Sequence, residues 1–391
     1  MKPILIYIFL LFLIPILPDS KAIDIIGYHW FLFSMLNFGT LIYLFFFKKV
    51  YFPSLRFLPF SFYTLFIISC IISLLYTNNF DLSLVDFSRI LNSFLSFLII
   101  YSLSKFSNFN FKELSILISI FLILDLFFIF KDFFVVAYQN DISVFSLFSI
   151  NRDPVLLKGL TGNKNITAAY LLIKLPFLFY LFLNSKINFK FLLINFLLFF
   201  SLSTILLLKS RASYLSLFAI SLLFVFSAIF NSKKSLIYIP ILFLSFLTVN
   251  LFNSSINTSS ITSEIASIKF NNESSNSRLQ LWSNAIESSV NNNFIGVGLG
   301  NWKIESLPYW NKNGSDYIVP YHAHSDFMEI LAEVGPHAAL FYLFLFLISF
   351  YYLFKSIIKT KSQIAIVIAS SLIVYFVDAC LNFPLERAVM Q

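Results

Sequence analysis

The sequence predicts an all-α fold, a polytopic bundle of about eleven transmembrane helices with one large outer loop that contains short amphipathic helices. Hydrophobic residues make up 59% of the 391 residues, charged residues only 12%, and the mean hydropathy is +0.84. Because a soluble domain carries about 25% charged residues, this chain is solvated by something other than water. The apolar runs are continuous rather than alternating, which excludes transmembrane β-strands.

The apolar runs of a length that can cross a bilayer define the predicted spans. They lie near residues 3–18, 25–47, 57–76, 84–104, 114–137, 165–183, 190–208, 212–230, 235–252, 337–354 and 363–383. The first run follows Lys2, but no small-x-small cleavage site comes after it, so we expect an uncleaved span rather than a signal peptide. We predict three parts: a bundle of nine spans over 1–252, a large loop over 253–336, and two further spans over 337–391.

The distribution of lysine and arginine predicts the orientation of the chain. With a cytoplasmic N-terminus, most basic residues of the short connections lie inside, and the loop 253–336 lies outside. A few basic residues lie outside against this bias. They are Arg152, Lys158, Lys164, Lys209 and Arg211. Either they bind an anionic ligand, or they are too few to overturn a topology that the other connections set.

The loop 253–336 contains two predicted helices. After a polar lead-in, Ser277 and Gln280 have the spacing of a capping box. Leu279, Trp282, Ile286 and Val290 then follow at helical spacing, which predicts an amphipathic helix that lies on the membrane or packs on the bundle. The alternate glycines of 296–300 predict a tight turn rather than a phosphate loop, because no Lys-Ser/Thr pair follows them.

The segment 321–326 contains two of the four histidines, His322 and His324, directly before a second predicted helix that Gly335-Pro336 ends. Three interpretations are open. His-x-His-x-Asp could begin a metal site, although the motif it resembles has a further His where this chain has Phe327. An imidazole could instead act as a general base near neutral pH, or be an interfacial histidine with no role. No metal or other cofactor is expected.

Four segments together resemble the O-antigen ligase and O-antigen polymerase superfamily. Residues 323–335 are similar to its A-H-N-D-x-x-x-x-x-A-E-x-G signature, with Ser325 in place of the usual Asn. The helix and glycine stretch over 278–298, and Ser210-Arg211 at the start of a span, resemble further elements of that family, as does the Phe-Pro pair within 382–384. The chain ends at Gln391, where the resemblance implies another span.

The resemblance implies a metal-independent, inverting glycosyltransferase of the GT-C type in a bacterial inner (plasma) membrane, with the large loop in the periplasm. The implied donor is a glycan on undecaprenyl diphosphate. The acceptor is a lipid A-core sugar for a ligase or another carrier-linked repeat for a polymerase, membrane lipids surround both, and no nucleic acid takes part. His324 is then the base and His322 a supporting donor, while Arg211 and Arg278 bind the diphosphate.

Two further points remain open at the sequence level. Arg89, Arg152 and Lys164 are weaker candidates for the site, with a surface charge as the alternative. A secondary transporter is the rival class, since Asp125 and Lys174 lie within spans and could form either a structural ion pair or part of an ion path. No paired half-repeat of short, broken segments supports transport.

Overall fold

The computed structural model describes residues 2–17, 24–107, 109–143, 146–147, 157–230, 233–266, 273–310 and 320–391, and over these ranges the chain is helical with no β-strand. The helices are α1 (Pro3–Leu13), α2 (Ile25–Phe47), α3 (Leu58–Ser73), α4 (Phe80–Phe106), α5 (Phe111–Gln139), α6 (Lys164–Asn184), α7 (Phe189–Leu207), α8 (Arg211–Phe230), α9 (Tyr238–Ser255), α10 (Ile261–Ala266), α11 (Glu273–Asn291), α12 (Trp302–Glu305), α13 (Leu307–Trp310), α14 (Asp326–Glu333), α15 (Pro336–Thr360) and α16 (Gln363–Leu381). The predicted all-α, polytopic class is confirmed.

Nine helices of the described ranges are long and apolar enough to cross a membrane, and each coincides with a predicted span. The predicted runs 3–18 and 57–76 form shorter apolar helices, Pro3–Ile16 and Leu58–Ser73. Pro3 and Pro59 lie in the first turns of their helices, where a missing N–H costs nothing.

Asparagine caps begin several of the long helices. The side-chain oxygens of Asn79, Asn110, Asn163 and Asn188 accept hydrogen bonds from backbone N–H groups in the first turns of α4, α5, α6 and α7. These bonds satisfy donors that have no partner within the helix. In a chain so rich in asparagine, single residues carry little weight as start signals, and the caps become visible only with the structure.

The described chain divides into two compact units. The first contains Met1–Phe109, Phe270–Tyr351 and Asp378–Gln391, and the second contains Asn110–Lys269 and Tyr352–Val377. The division differs from the predicted three parts because chain order does not decide which helices pack together, and the three-part boundaries remain a prediction.

The second unit has a large apolar core with one buried ion pair. Residues such as Phe179 and Phe224 stack there with ring centroids 3.8 Å apart. Lys174 is 1% exposed, forms an ion pair with Asp125, and lies 3.2 Å from the ring centroid of Tyr170. The two charges within spans are therefore partners, and the ion pair accounts for them structurally.

The helices of the large loop belong to the first unit, and their bounds differ from the predicted ones in one place. The helix α14 extends over Asp326–Glu333 and Gly335 follows it with φ +101°, as the sequence predicts. The helix α11 begins at Glu273, not after Ser277. The predicted capping residue therefore lies within the helix and not before it.

Candidate functional site

The candidate site is supported by a small hydrophobic cluster that joins α11 to α14 within the first unit. Leu281 and Ala285 of α11 pack with Trp302, Ala323 and Ala332, and Trp282 lies against the same cluster. Several buried positions of α11, such as Ala285 and Ser288, carry small side chains, which let the two helices approach closely. This packing fixes the segment that immediately precedes α14, where the two histidines lie.

The glycine stretch passes against two other segments at close range. Gly298 has φ +93°, and a side chain there would overlap Thr77. Gly296 has φ +91°, and a side chain there would overlap the backbone at Glu333. The amide of Asn301 donates to the Thr77 and Ser83 hydroxyls at 2.7 and 2.9 Å. The stretch is thus the tight turn that the sequence predicts.

His324 follows a residue, Ala323, whose two backbone polar groups are both hydrogen-bonded. The Ala323 N–H donates to Glu329 Oε2 at 2.8 Å, and its carbonyl accepts from Trp282 Nε1 at 3.1 Å. His324 itself has φ +53°, in the left-handed region that a residue with a side chain rarely adopts. Such a conformation persists only where the surroundings enforce it, and it often marks a functional position.

The imidazole of His324 is half-buried, and its surroundings favour the neutral form of the ring. Its Nδ1 is buried and has no hydrogen-bond partner among the described residues. Burial lowers its pKa to about 4, and the charges of Arg278, His322 and Arg387 contribute in the same direction. At neutral pH this nitrogen is therefore available to accept a proton.

His322 has the opposite electrostatics. Burial alone would lower its pKa, but the Glu329 carboxylate, 3.0 Å from Nδ1, raises it above the ordinary value. Its ring stacks on Phe383 with centroids 3.9 Å apart, and His324 meets the same phenylalanine edge-on at 5.4 Å. Glu329 thus binds both His322 and the backbone beside His324, and the two rings share one aromatic support.

The C-terminal segment completes this part of the first unit. Arg89 of α4 forms ion pairs with Asp86, at 2.8 Å, and with Glu386. The backbone carbonyl of Glu386 accepts from Trp30 Nε1 at 3.0 Å. Burial and the charge of Asp86 raise the pKa of Glu386 to about 7, although Arg89 opposes this shift. The side chain of Arg89 is 17% exposed and is paired with two carboxylates.

Two buried carboxyl groups lie on α14 itself. Burial raises the pKa of Asp326 and of Glu333 well above their ordinary values. Asp326 Oδ2 accepts from the Tyr342 hydroxyl at 3.2 Å, and Glu333 Oε1 accepts from the Trp302 N–H at 2.8 Å. These groups hold α14 in place. Among the residues that the structure describes, no group of three or more His, Cys, Asp or Glu side chains is arranged to hold a metal ion.

The predicted site residues are divided between the two units. His322, His324, Arg278 and Arg89 belong to the first unit, and Arg278 acts on His324 through its charge. Arg211 is the first residue of α8, and Lys164 is the first residue of α6, both in the second unit. Arg152 lies outside the described residues.

Four residues beside the histidines have no place among the predicted site residues: Glu329, Phe383, Glu386 and Arg387. Glu329 lies within the signature segment, five residues after His324, and its spacing on α14 could have indicated a partner for the histidines. The other three follow α16, next to the Phe-Pro pair. The Phe-Pro pair is the sequence feature that draws attention to this segment. Nothing in the local sequence shows which residues the segment contacts.

Comparison with known protein families gives one match. Residues 196–343 match a family model described as O-antigen ligase, while no curated protein matches the chain. The matched range includes Arg211, Arg278, the glycine stretch and the histidine segment with α14. The resemblance predicted from these motifs is therefore confirmed: residues 196–343 of this multi-pass membrane protein are similar to the O-antigen ligase family.

Proposed function

We propose that the chain transfers a glycan from undecaprenyl diphosphate to an acceptor hydroxyl at the outer face of the bacterial inner membrane, acting as a ligase on a lipid A-core or similar acceptor. The observation that carries the proposal is His324. It combines a buried, unpartnered Nδ1 with a pKa of about 4, within the segment that matches the ligase family. A neutral imidazole in a strained, anchored position suits a general base.

In the proposed reaction, His324 accepts the proton of the acceptor hydroxyl as its oxygen attacks the anomeric carbon. The bond between the anomeric carbon and the diphosphate oxygen breaks, and its electron pair leaves with undecaprenyl diphosphate. Direct attack from the opposite face inverts the configuration. Arg278 and Arg211 bind the diphosphate and stabilise the charge that develops on it, a task for which the planar guanidinium is suited. His322, held by Glu329, is a supporting hydrogen-bond donor in this site.

Proton acceptance by His324 and charge stabilisation by arginine together need no metal ion, so we propose a metal-independent reaction. The same proposal places the loop 253–336 in the periplasm. The apolar helices then border the polyprenyl chain of the donor. Arg89 is engaged by Asp86 and Glu386, which assigns it to positioning the C-terminal segment rather than to the donor.

The test is a transfer reaction with purified protein in lipid nanodiscs, an undecaprenyl diphosphate-linked glycan and excess EDTA. A lipid A-core acceptor and a second carrier-linked repeat are supplied in separate reactions. Glycan transfer to the lipid A-core supports the ligase, and transfer only to the carrier-linked repeat indicates a polymerase. Loss of transfer in EDTA that zinc restores would contradict the metal-independent base. No transfer to either acceptor, with substrate accumulation in proteoliposomes, would indicate a transporter.

A further inference from the structure

Arg387 is an arginine beside the histidines whose place sequence motifs do not predict. Its residue is 8% exposed, yet its Nη1 has no hydrogen-bond partner among the described residues. The guanidinium carbon lies 4.1 Å from the centroid of the Phe383 ring, the same ring on which His322 stacks. A buried guanidinium that leaves a donor unsatisfied is costly, so an acceptor is expected at this position.

Among the described residues, no carboxylate forms a direct ion pair with Arg387, although Asp378, Asp326 and Glu386 act on its charge. Glu386, its neighbour in the chain, pairs with Arg89. Asp326 accepts from Tyr342, and burial raises the pKa of its carboxyl group well above the ordinary value. Asp378 Oδ1 accepts from the Asn382 amide at 2.6 Å. The positive charge therefore remains available to a ligand, and it acts on His324, whose pKa it helps to lower.

Two unsatisfied polar atoms thus lie around one aromatic ring: Nδ1 of His324, which can accept a proton, and Nη1 of Arg387, which can donate a hydrogen bond. A reaction in which a hydroxyl loses a proton and a diphosphate leaves requires one group of each kind. We propose that Arg387 is a further diphosphate-binding residue of the donor site, and that Phe383 holds its guanidinium beside the histidines. This inference rests on the proposed function, since it takes the carrier diphosphate as the ligand.

A purely structural role is the alternative. Asp378 Oδ2 is also buried and has no hydrogen-bond partner among the described residues, so a water molecule could join it to Arg387 in an internal ion pair. The two roles differ in what they do to ligand binding. An internal pair would stabilise the protein regardless of the ligand, whereas a diphosphate-binding arginine would discriminate between ligands by their phosphate charge.

The experiment measures the affinity of the protein in nanodiscs for undecaprenyl diphosphate and for undecaprenyl monophosphate. Arg387→Gln should weaken diphosphate binding about tenfold to a hundredfold, as expected for loss of charge-assisted hydrogen bonds, and should reduce the preference for diphosphate over monophosphate. The matched control is Arg56→Gln, which removes one positive charge from an exposed position before α3. It should leave both affinities unchanged.

An unchanged preference in folded Arg387→Gln would overturn the inference and leave the proposed transfer reaction standing. A wild-type protein that binds neither carrier lipid would overturn the proposed donor and this inference together. If Arg387→Gln does not fold, Arg387→Lys takes its place, because lysine keeps the charge but lacks the planar fork. It should lose about tenfold in diphosphate affinity with a near-normal Tm, and unchanged affinity would overturn the inference.

Discussion

At the residue scale, His324 lies where burial and nearby guanidinium groups oppose protonation of its ring. A helix start after the histidine predicts the neutral form from sequence alone, and the ordinary histidine value predicts a loss of activity below about pH 6.5. The structure supports the predicted neutral form of His324 and lowers the pH at which protonation is expected. With a pKa of about 4, His324 remains a proton acceptor throughout the range in which most histidines become charged.

We therefore expect His324→Ala to reduce transfer about a hundredfold to ten-thousandfold while donor binding remains, because a general base contributes to the chemical step. In the wild type, loss of base function should appear only as the pH falls through about 4, since protonation of Nδ1 removes the acceptor. The measurement is the transfer rate from pH 4 to 8 in nanodiscs. Near-normal transfer by the variant would leave His324 without a catalytic role.

The same pKa has a consequence for stability. The unfolded chain binds a proton at His324 near pH 6.5, whereas the folded protein does so only near 4. Between these values the unfolded state takes up the proton first, so His324 lowers the free energy of unfolding as the pH falls. The contribution of His322 to stability has the opposite sign, because the pKa of His322 is raised in the folded protein. This contribution stabilises the fold below pH 6.5 and is lost as the pH rises through the pKa of the folded state.

The arginines of the proposed diphosphate site can be tested by substitutions that keep their charge. We expect Arg211→Lys and Arg278→Lys each to reduce transfer by about one to two orders of magnitude, because lysine lacks the bidentate fork. Transfer rates at saturating and limiting donor concentration would separate binding from turnover. Arg56→Lys, at an exposed position, is the control. Near-normal transfer after both arginines are replaced by Ala would remove them from the site.

At the scale of single elements, the glycine stretch shows how a loop can position a site without touching substrate. Gly298→Ala should lower the free energy of unfolding by about 1–3 kcal/mol, because it combines a left-handed φ with an overlap at Thr77. Gly39→Ala is the control, since an added methyl group within α2 meets nothing within 4 Å. Unfolding in detergent monitors both variants, and equal midpoints would contradict the close approach.

The helix α11 shows that a correct helix can present a different face from the predicted one. The predicted apolar stripe includes Leu279, Ile286 and Val290, yet each of these is about half exposed, at 47%, 48% and 50%. The buried face instead carries Leu281 and Ala285. Small residues at a spacing of three or four allow close helix packing, and hydrophobicity alone does not reveal that preference. Of the two predicted locations, only packing within the protein is visible, and the outward stripe is free to meet lipid.

At the scale of the whole molecule, the orientation in the membrane can be tested directly. The lysine and arginine distribution predicts the loop 253–336 outside and the connection between α6 and α7 inside. A cysteine at Ser259 should react with an impermeant thiol reagent in intact cells, and a cysteine at Lys186 should react only after lysis. Both positions are exposed. The wild type reports the background from Cys70 and Cys380, and the reverse labelling pattern would contradict the topology.

The sequence by itself determined the features that depend on local composition and order. Continuous apolar runs specify membrane helices wherever they occur, and the signature around His324, with Arg211 and Arg278 before it, lies within the range that is similar to the O-antigen ligase family. Only the tertiary structure decided which distant residues meet. Phe383 and Arg387 reach the histidines from about sixty residues further along the chain, and no local pattern encodes such a contact. The left-handed φ of His324 and its lowered pKa likewise arise from burial and neighbouring charges, which exist only once the helices have packed.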